Sequence, residues 1–285
     1  MKQLQIAAIQ THPEFGAVQA NIDTALGFVP AGSDLAVIPE LFNTGYQFTS
    51  REEALGFAEN LTGSDPGPTC ARLAQFAGDR GTTVVAGLAE VCGDKLFNSA
   101  VLIRPDGSRD VYRKVHLFLD EKSIFTPGDL GFPVFQACGT TIGMMICFDW
   151  IFPEAARSLA LAGAEVICHP SNLLLPWCQD AMITRCQENM VVAVTSNRVG
   201  TENRTGTALT FSGRSQIVSR MGERLAALDK EGTGAACAAV EILERDKLFT
   251  PRNDLWGDRR LDMYRDTPSD SQSVVGQVGP SAEGL

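Results

Sequence analysis

The stretch Thr140 to Gly163, TTIGMMICFDWIFPEAARSLALAG, constrains the fold more than any other part of this 285-residue chain. Thr141 to Ile146 is short, apolar and rich in β-branched and Met side chains, which predicts a buried strand. A tight connection follows. Pro153 then stands at a first helical position with Glu154 beside it, Ala155 to Ala162 are strong helix formers, and Gly163 is a natural stop. Cys147 therefore sits where a buried strand ends and a helix is about to begin. That position exposes a side chain at the rim of a sheet, where helix N–H groups favour a thiolate. A core cysteine is the alternative, because free Cys is among the most buried residue types.

The same alternation extends in both directions. Apolar runs at Gln3–Ile9, Asp34–Ile38, Thr82–Val91, Asn98–Ile103, Arg109–Val115, Val134–Cys138, Glu165–Cys168 and Met190–Asn197 predict strands. Helical spacing marks Val18–Phe28, Glu52–Glu59, Pro66–Asp79 and Trp177–Asn189. Turn signals at Pro105–Gly107 and Gly139 predict hairpins, and His116 to Gly131 reads as a loop. Further antiparallel strands are expected around Thr207–Ser219 and Ala235–Ile242. Interleaved strands and helices with hairpins between them predict an α/β layered fold with a mixed sheet, in one domain over residues 1–265. Residues 266–285 carry no aromatic residue, Lys or Arg, and are expected to form a disordered tail.

Composition excludes several function classes. A net charge of −10 with no Lys/Arg cluster longer than two argues against a nucleic-acid partner, since nothing would neutralise phosphates. No apolar run approaches a membrane span, and MKQLQIAAIQ reads as a first strand without the apolar core and cleavage site of a secretory leader. A cytoplasmic location is expected. In that setting the eight cysteines are read as reduced thiols, and with no CxxC pair a metal site is not expected.

Three polar residues share one placement: Glu40, Lys114 and Cys147 each lie at the end of a strand. Layered α/β folds bind ligands at the carboxyl ends of strands, so the three could converge. Their chemistry is complementary. A thiol needs a base, a glutamate in a dry pocket has its pKa raised toward working pH, and a tetrahedral intermediate needs positive charge or N–H donors at its oxygen. Read singly, Glu40 could be a solvated strand end, Lys114 a surface residue beside Arg113, and Cys147 a core filler. His116 and His169, both near strand ends, leave a Cys–His hydrolase as a further possibility.

Four motifs in order decide between these readings. VIPELFNTGY (37–46), YRKVHLF (112–118), EKSIFTPGDLGF (121–132) and MICFDWIFPE (145–154), with HPSNL (169–173) after them, resemble the nitrilase superfamily of carbon–nitrogen hydrolases. The likeness runs over nearly all of residues 1–265, and small single-domain nitrilases and amidases, thermophilic archaeal ones included, are the most similar. The resemblance implies a four-layer α-β-β-α sandwich with mixed sheets, usually dimerised, and no cofactor. It implies that Cys147 forms a thioester, that Glu40 is the general base, that Lys114 with the Phe148 backbone N–H holds the oxyanion, and that Glu121 positions Lys114 or the substrate.

Phe42, Tyr46, Phe118, Trp150 and Asn172 lie in loops just after the three strand ends and are candidate pocket walls, with packing the alternative for the aromatics. Family members that take N-carbamoyl amino acids often place arginines just after the nucleophile, where this chain has Trp150 and Ile151. A small neutral or apolar substrate is expected, an aliphatic amide or ω-amide first and a nitrile second. A homodimer or higher homo-oligomer is expected. A silent binding member of the family is the alternative outside enzymes.

Overall fold

The computed structural model describes residues 2–63, 66–242 and 247–265. The first half runs β1 (Lys2–Gln10), α1 (Val18–Gly27), β2 (Leu35–Ile38), α2 (Arg51–Phe57), α3 (Pro68–Arg80), β3 (Thr83–Cys92), β4 (Lys95–Ile103) and β5 (Arg109–Arg113). It continues through α4 (Glu121–Ile124), β6 (Val134–Ala137), β7 (Thr140–Met144), α5 (Pro153–Leu161), β8 (Val166–Pro170), α6 (Cys178–Asn189) and β9 (Val192–Ser196). The last strands are β10 (Thr201–Glu202), β11 (Leu209–Thr210), β12 (Gln216–Val218), β13 (Arg224–Ala227), β14 (Gly234–Ile242), β15 (Leu248–Thr250) and β16 (Asn253–Asp254).

Two six-stranded mixed sheets form, in the orders β14-β1-β2-β3-β4-β5 and β13-β12-β9-β8-β7-β6. Both have the same build. Three parallel strands joined through helices stand at the centre, β1-β2-β3 in one and β7-β8-β9 in the other, with antiparallel strands on either side. Parallel strands carrying crossover helices are covered on both faces, which is why β2 (LAVI) and β8 (VICHP) are buried at every position. The sheets pack face to face: β1 lies against β9, and β2 against β8 and β9. Helix α3 covers β3 and β4, α5 covers β7, and α6 covers β9 and β12. The result is the expected α-β-β-α sandwich. Strand β14 returns the chain to the first sheet and pairs with all nine residues of β1, Lys2 opposite Ile242 through Gln10 opposite Gly234.

The expected loop 116–131 contains the short helix α4, and the expected strand 109–115 stops at Arg113, so Lys114 is the first residue beyond it. The chain divides into two compact units, Met1–Asp246 and Lys247–Leu285, where the sequence suggested a single domain to residue 265. The described part of the second unit holds the β15–β16 hairpin and a 3-10 turn at Leu261–Met263. Residues 266–285, expected to be a disordered tail, lie outside the described residues. Among the described residues no helix is long and apolar enough to cross a membrane.

Candidate active site

Glu40 follows Pro39 just past the end of β2, the strand between β1 and β3. The chain turns sharply there, with Leu41 in the left-handed region at φ 47°. The turn presses on β3 so closely that a Cβ on Gly87 would lie 2.4 Å from the Glu40 Cα, so only glycine fits. Glu40 Oε1 accepts hydrogen bonds from Lys114 Nζ at 2.7 Å and Asn98 Nδ2 at 2.6 Å. Its Oε2 is buried and has no partner among the described residues.

Lys114 is held by its backbone, which donates to the Asn98 carbonyl and accepts from Gly128 N–H, each at 2.8 Å. Its neighbour Arg113 is locked onto Glu90 by two hydrogen bonds of 2.9 and 2.7 Å. Successive residues leave a strand on opposite faces, so anchoring Arg113 on Glu90 directs Lys114 to the other side. There Nζ reaches Glu121 Oε1 at 2.8 Å as well as Glu40. Glu121 opens α4, and the same oxygen accepts from Tyr46 Oη at 2.7 Å.

Strand β7 stops at Met144, and Cys147 starts a 3-10 helix, Cys147–Ile151, that leads into α5. Cys147 itself lies in the left-handed region at φ 43°, a conformation that a non-glycine residue keeps only when its surroundings hold it. Two groups hold it. His169 Nε2 donates to the Cys147 carbonyl at 2.9 Å, while Thr195 Oγ1 stands 3.2 Å from Nδ1. Buried Asp149 accepts from Ile146 N–H at 2.8 Å and Tyr112 Oη at 2.7 Å. It also faces His116, whose N–H lies at 3.1 Å and Nδ1 at 2.8 Å. Asp149 thus ties the cysteine turn to the chain on both sides of Lys114.

Asn172 stands just beyond β8. Its Nδ2 donates to the Glu40 backbone carbonyl at 2.9 Å, and its backbone draws the Cys147 thiol slightly down against the burial that raises it. Phe118, Cys147, Phe148, Trp150, Asn172 and Leu173–Leu175 line a narrow, half-open cleft. The Phe118 and Phe148 rings meet at 4.8 Å between centroids.

Site electrostatics follow from burial. Burial pushes the Glu40 carboxyl up, further than Lys114 beside it draws it down. Cys147 is driven well above an ordinary thiol by burial and then by the Glu40 charge, with Lys114 opposing. This reverses the expected thiolate: a short 3-10 turn cannot offset loss of water and a carboxylate neighbour. Burial alone would lower Lys114, but Glu121 and Glu40 outweigh it and hold the ammonium charged. Cys147 is thus a neutral thiol beside a carboxylate with one free oxygen, and an ammonium waits to receive negative charge. Such a set can form a sulfur nucleophile by local proton transfer and stabilise an oxyanion.

The structure brings Glu40, Lys114, Glu121 and Cys147 together, with Phe118, Phe148, Trp150 and Asn172 around the cleft. Tyr46 joins through Glu121. Phe42 is elsewhere: the left-handed turn at Leu41 swings it into the core between the first sheet and its helices, among Ile22, Leu73 and Phe76. Both ring nitrogens of His169 face the Cys147 carbonyl and Thr195, and His116 Nδ1 faces Asp149 with its ring stacked 3.7 Å from Phe152. Neither histidine is engaged with the thiol. Sequence reasoning missed Asn98 and Asp149. Asp149, two residues past the cysteine in a run with no other polar side chain before Glu154, carried a readable signal.

Residues 3–244 match the family described as carbon-nitrogen hydrolase. The chain is 42% identical over 266 residues to a nitrilase from Pyrococcus abyssi, covering 92% of this chain and 99% of that one. It is 34% identical to an N-carbamoylputrescine amidase from Solanum tuberosum, over 87% of this chain and 89% of that one. Among solved structures, a mutant amidase from Nesterenkonia sp. AN1 superposes with a TM-score of 0.73 at 26% identity, covering 91% of this chain and 94% of that one. That structure shows covalent addition of the acetamide moiety of fluoroacetamide at the active-site cysteine.

Proposed function

The chain belongs to the carbon-nitrogen hydrolase family, and from this premise we propose that it hydrolyses a small, neutral, aliphatic amide through a thioester on Cys147. One observation carries the substrate reading: the cleft at the sulfur is walled by Phe118, Phe148, Trp150 and Leu173–Leu175, with no cationic side chain among its lining residues. Lys114 is paired with Glu40 and Glu121 and is committed to the oxyanion, so a substrate carboxylate would find no further counter-charge among these lining residues, which disfavours N-carbamoyl amino acids.

In the proposed sequence the Cys147 thiol passes its proton to Glu40 Oε2 as sulfur attacks the amide carbon. The carbonyl oxygen becomes an oxyanion facing Lys114 Nζ and the Phe148 backbone N–H, which lies in the unpaired first turn of the 3-10 helix. The C–N bond breaks as Glu40 returns its proton to nitrogen, and ammonia leaves. Water then gives a proton to Glu40 while its oxygen attacks the thioester; the C–S bond breaks, the acid departs, and the proton returns to sulfur. Glu121 holds Lys114 in place.

The likeness to a Pyrococcus nitrilase favours a nitrile as the second reading, through a thioimidate on the same sulfur. A homodimer or higher homo-oligomer in the cytoplasm completes the proposal, supported by the exposed apolar Ile151, Leu161 and Trp177 on the neighbouring α5 and α6 region. Ammonia release should be screened over short amides, ω-amides, N-carbamoyl compounds and nitriles, with Cys147→Ala beside the wild type. The mutant is expected to release none; equal ammonia from it would end the mechanism.

A further inference from the structure

We propose that Asn172 reads the N–H of the scissile carboxamide and so makes this site select primary amides over nitriles. The proposal rests on the thioester reading given above. The orientation of the Asn172 amide is fixed by its partner: Nδ2 lies 2.9 Å from the Glu40 backbone carbonyl, which can only accept. Its other atom, Oδ1, must then be an acceptor. That oxygen is buried and has no partner among the described residues. Asn172 lines the cleft together with Cys147.

Glu40 Oε2 is a second buried acceptor without a partner. Two buried acceptors of the site therefore have no hydrogen-bond partner among the described residues. Buried acceptors without a donor are uncommon in a native fold, and in a cleft at a reactive sulfur a substrate N–H is one group that would satisfy them. The substrate oxygen is committed to Lys114 and the Phe148 N–H, so the substrate nitrogen points away from those donors and toward the acceptors. A primary amide carries two N–H groups, one for each. A nitrile carries no N–H; its nitrogen takes the oxygen's place at Lys114, and both acceptors stay without a donor. A site built to hydrogen-bond a donor strongly rejects an analogue that lacks it.

The test uses the full chain with propionamide and propionitrile, in the wild type, Asn172→Leu and the smaller Asn172→Ala. The wild type is expected to favour the amide by a hundredfold or more in kcat/KM. Either substitution should cut that preference at least tenfold. Methyl methanethiosulfonate, which has no N–H, should modify Cys147 at a rate within threefold of the wild type, because its reaction draws nothing from the Asn172 side-chain oxygen. Equal losses on both substrates with slowed thiol modification, or a wild type that favours the nitrile, would overturn the proposal. A Cys147→Ala protein that still releases ammonia would instead sink the thioester reading, so the two failures are distinguishable.

Discussion

Replacing His169 by glutamine tests whether this buried imidazole is a base or a clamp. Burial drives its pKa from the ordinary 6.5 down to about 4, and the Cys147 carbonyl that it binds only partly offsets this. The folded state therefore keeps His169 neutral while the unfolded chain takes up a proton below pH 6.5. A depressed folded pKa gives stability that is complete above the unfolded value and is lost as pH falls through 6.5 toward about 4. Between pH 7 and pH 5 the loss from this one group comes to about 2 kcal/mol. In His169→Gln the side chain can still donate to the Cys147 carbonyl but does not titrate, so that increment should vanish. Urea midpoints at pH 7 and 5, converted with a common m-value, measure it. With only three histidines in the chain, ¹⁵N spectra can follow each ring, and His169 should appear as the neutral Nε2–H form at pH 6. A clamp predicts a rate loss of about tenfold from a loosened turn, whereas loss of a general base costs about 10²–10⁴-fold. Identical pH slopes for wild type and variant, or a protonated ring at pH 6, would refute the reasoning.

Two other outcomes follow from the same site. The acid limb of kcat/KM should lie above pH 4.5, because the raised Glu40 must be ionised to act and activity is lost as pH falls through its pKa. No alkaline fall is expected below pH 9, since Cys147 and Lys114 are raised above their ordinary 9.0 and 10.5; an acid limb at or below 4.5 would contradict this. Asp149→Asn replaces one accepting oxygen with a donor facing N–H and O–H groups. It should cost about 2–4 kcal/mol in denaturant unfolding and lower kcat more than it changes KM. Unchanged kcat would remove Asp149 from the positioning of Cys147.

Much of the first sheet was legible because short apolar runs between turn residues have few alternatives: β1, β2 and β3 fall where the sequence put them. The strand ends carrying Glu40 and Cys147 were legible for the same reason, since Pro39 and Pro153 punctuate both. Strand β13, RLAA, escaped notice because it is largely exposed and has no period-two pattern. Helix α4 has only four residues, too few for helical spacing to register. Phe42 was misplaced because one left-handed residue, Leu41, reverses the side to which its successor points, and Leu gives no hint of that conformation. Asn98 and Asp149 act across long separations in sequence, 58 residues to Glu40 and 37 to Tyr112, and only the packed sheets reveal such partners.

A thiol raised by burial looks at first like a poor nucleophile, and the charge balance of the site resolves this. Moving the proton from Cys147 to Glu40 changes no net charge; it exchanges a carboxylate for a thiolate beside the same ammonium. Lys114 lowers both proton affinities and Glu121 raises both, so neither charge by itself decides where the proton rests. What differs is local hydrogen bonding: Lys114 and Asn98 both donate to the carboxylate, while the Asn172 backbone favours charge on the sulfur. Each of these groups favours the charge on its own partner. In the proposed mechanism the transfer is internal, so the site would need no thiolate at rest, and a reactive sulfur would arise only when a substrate fills the cleft and gives Lys114 an oxyanion to hold.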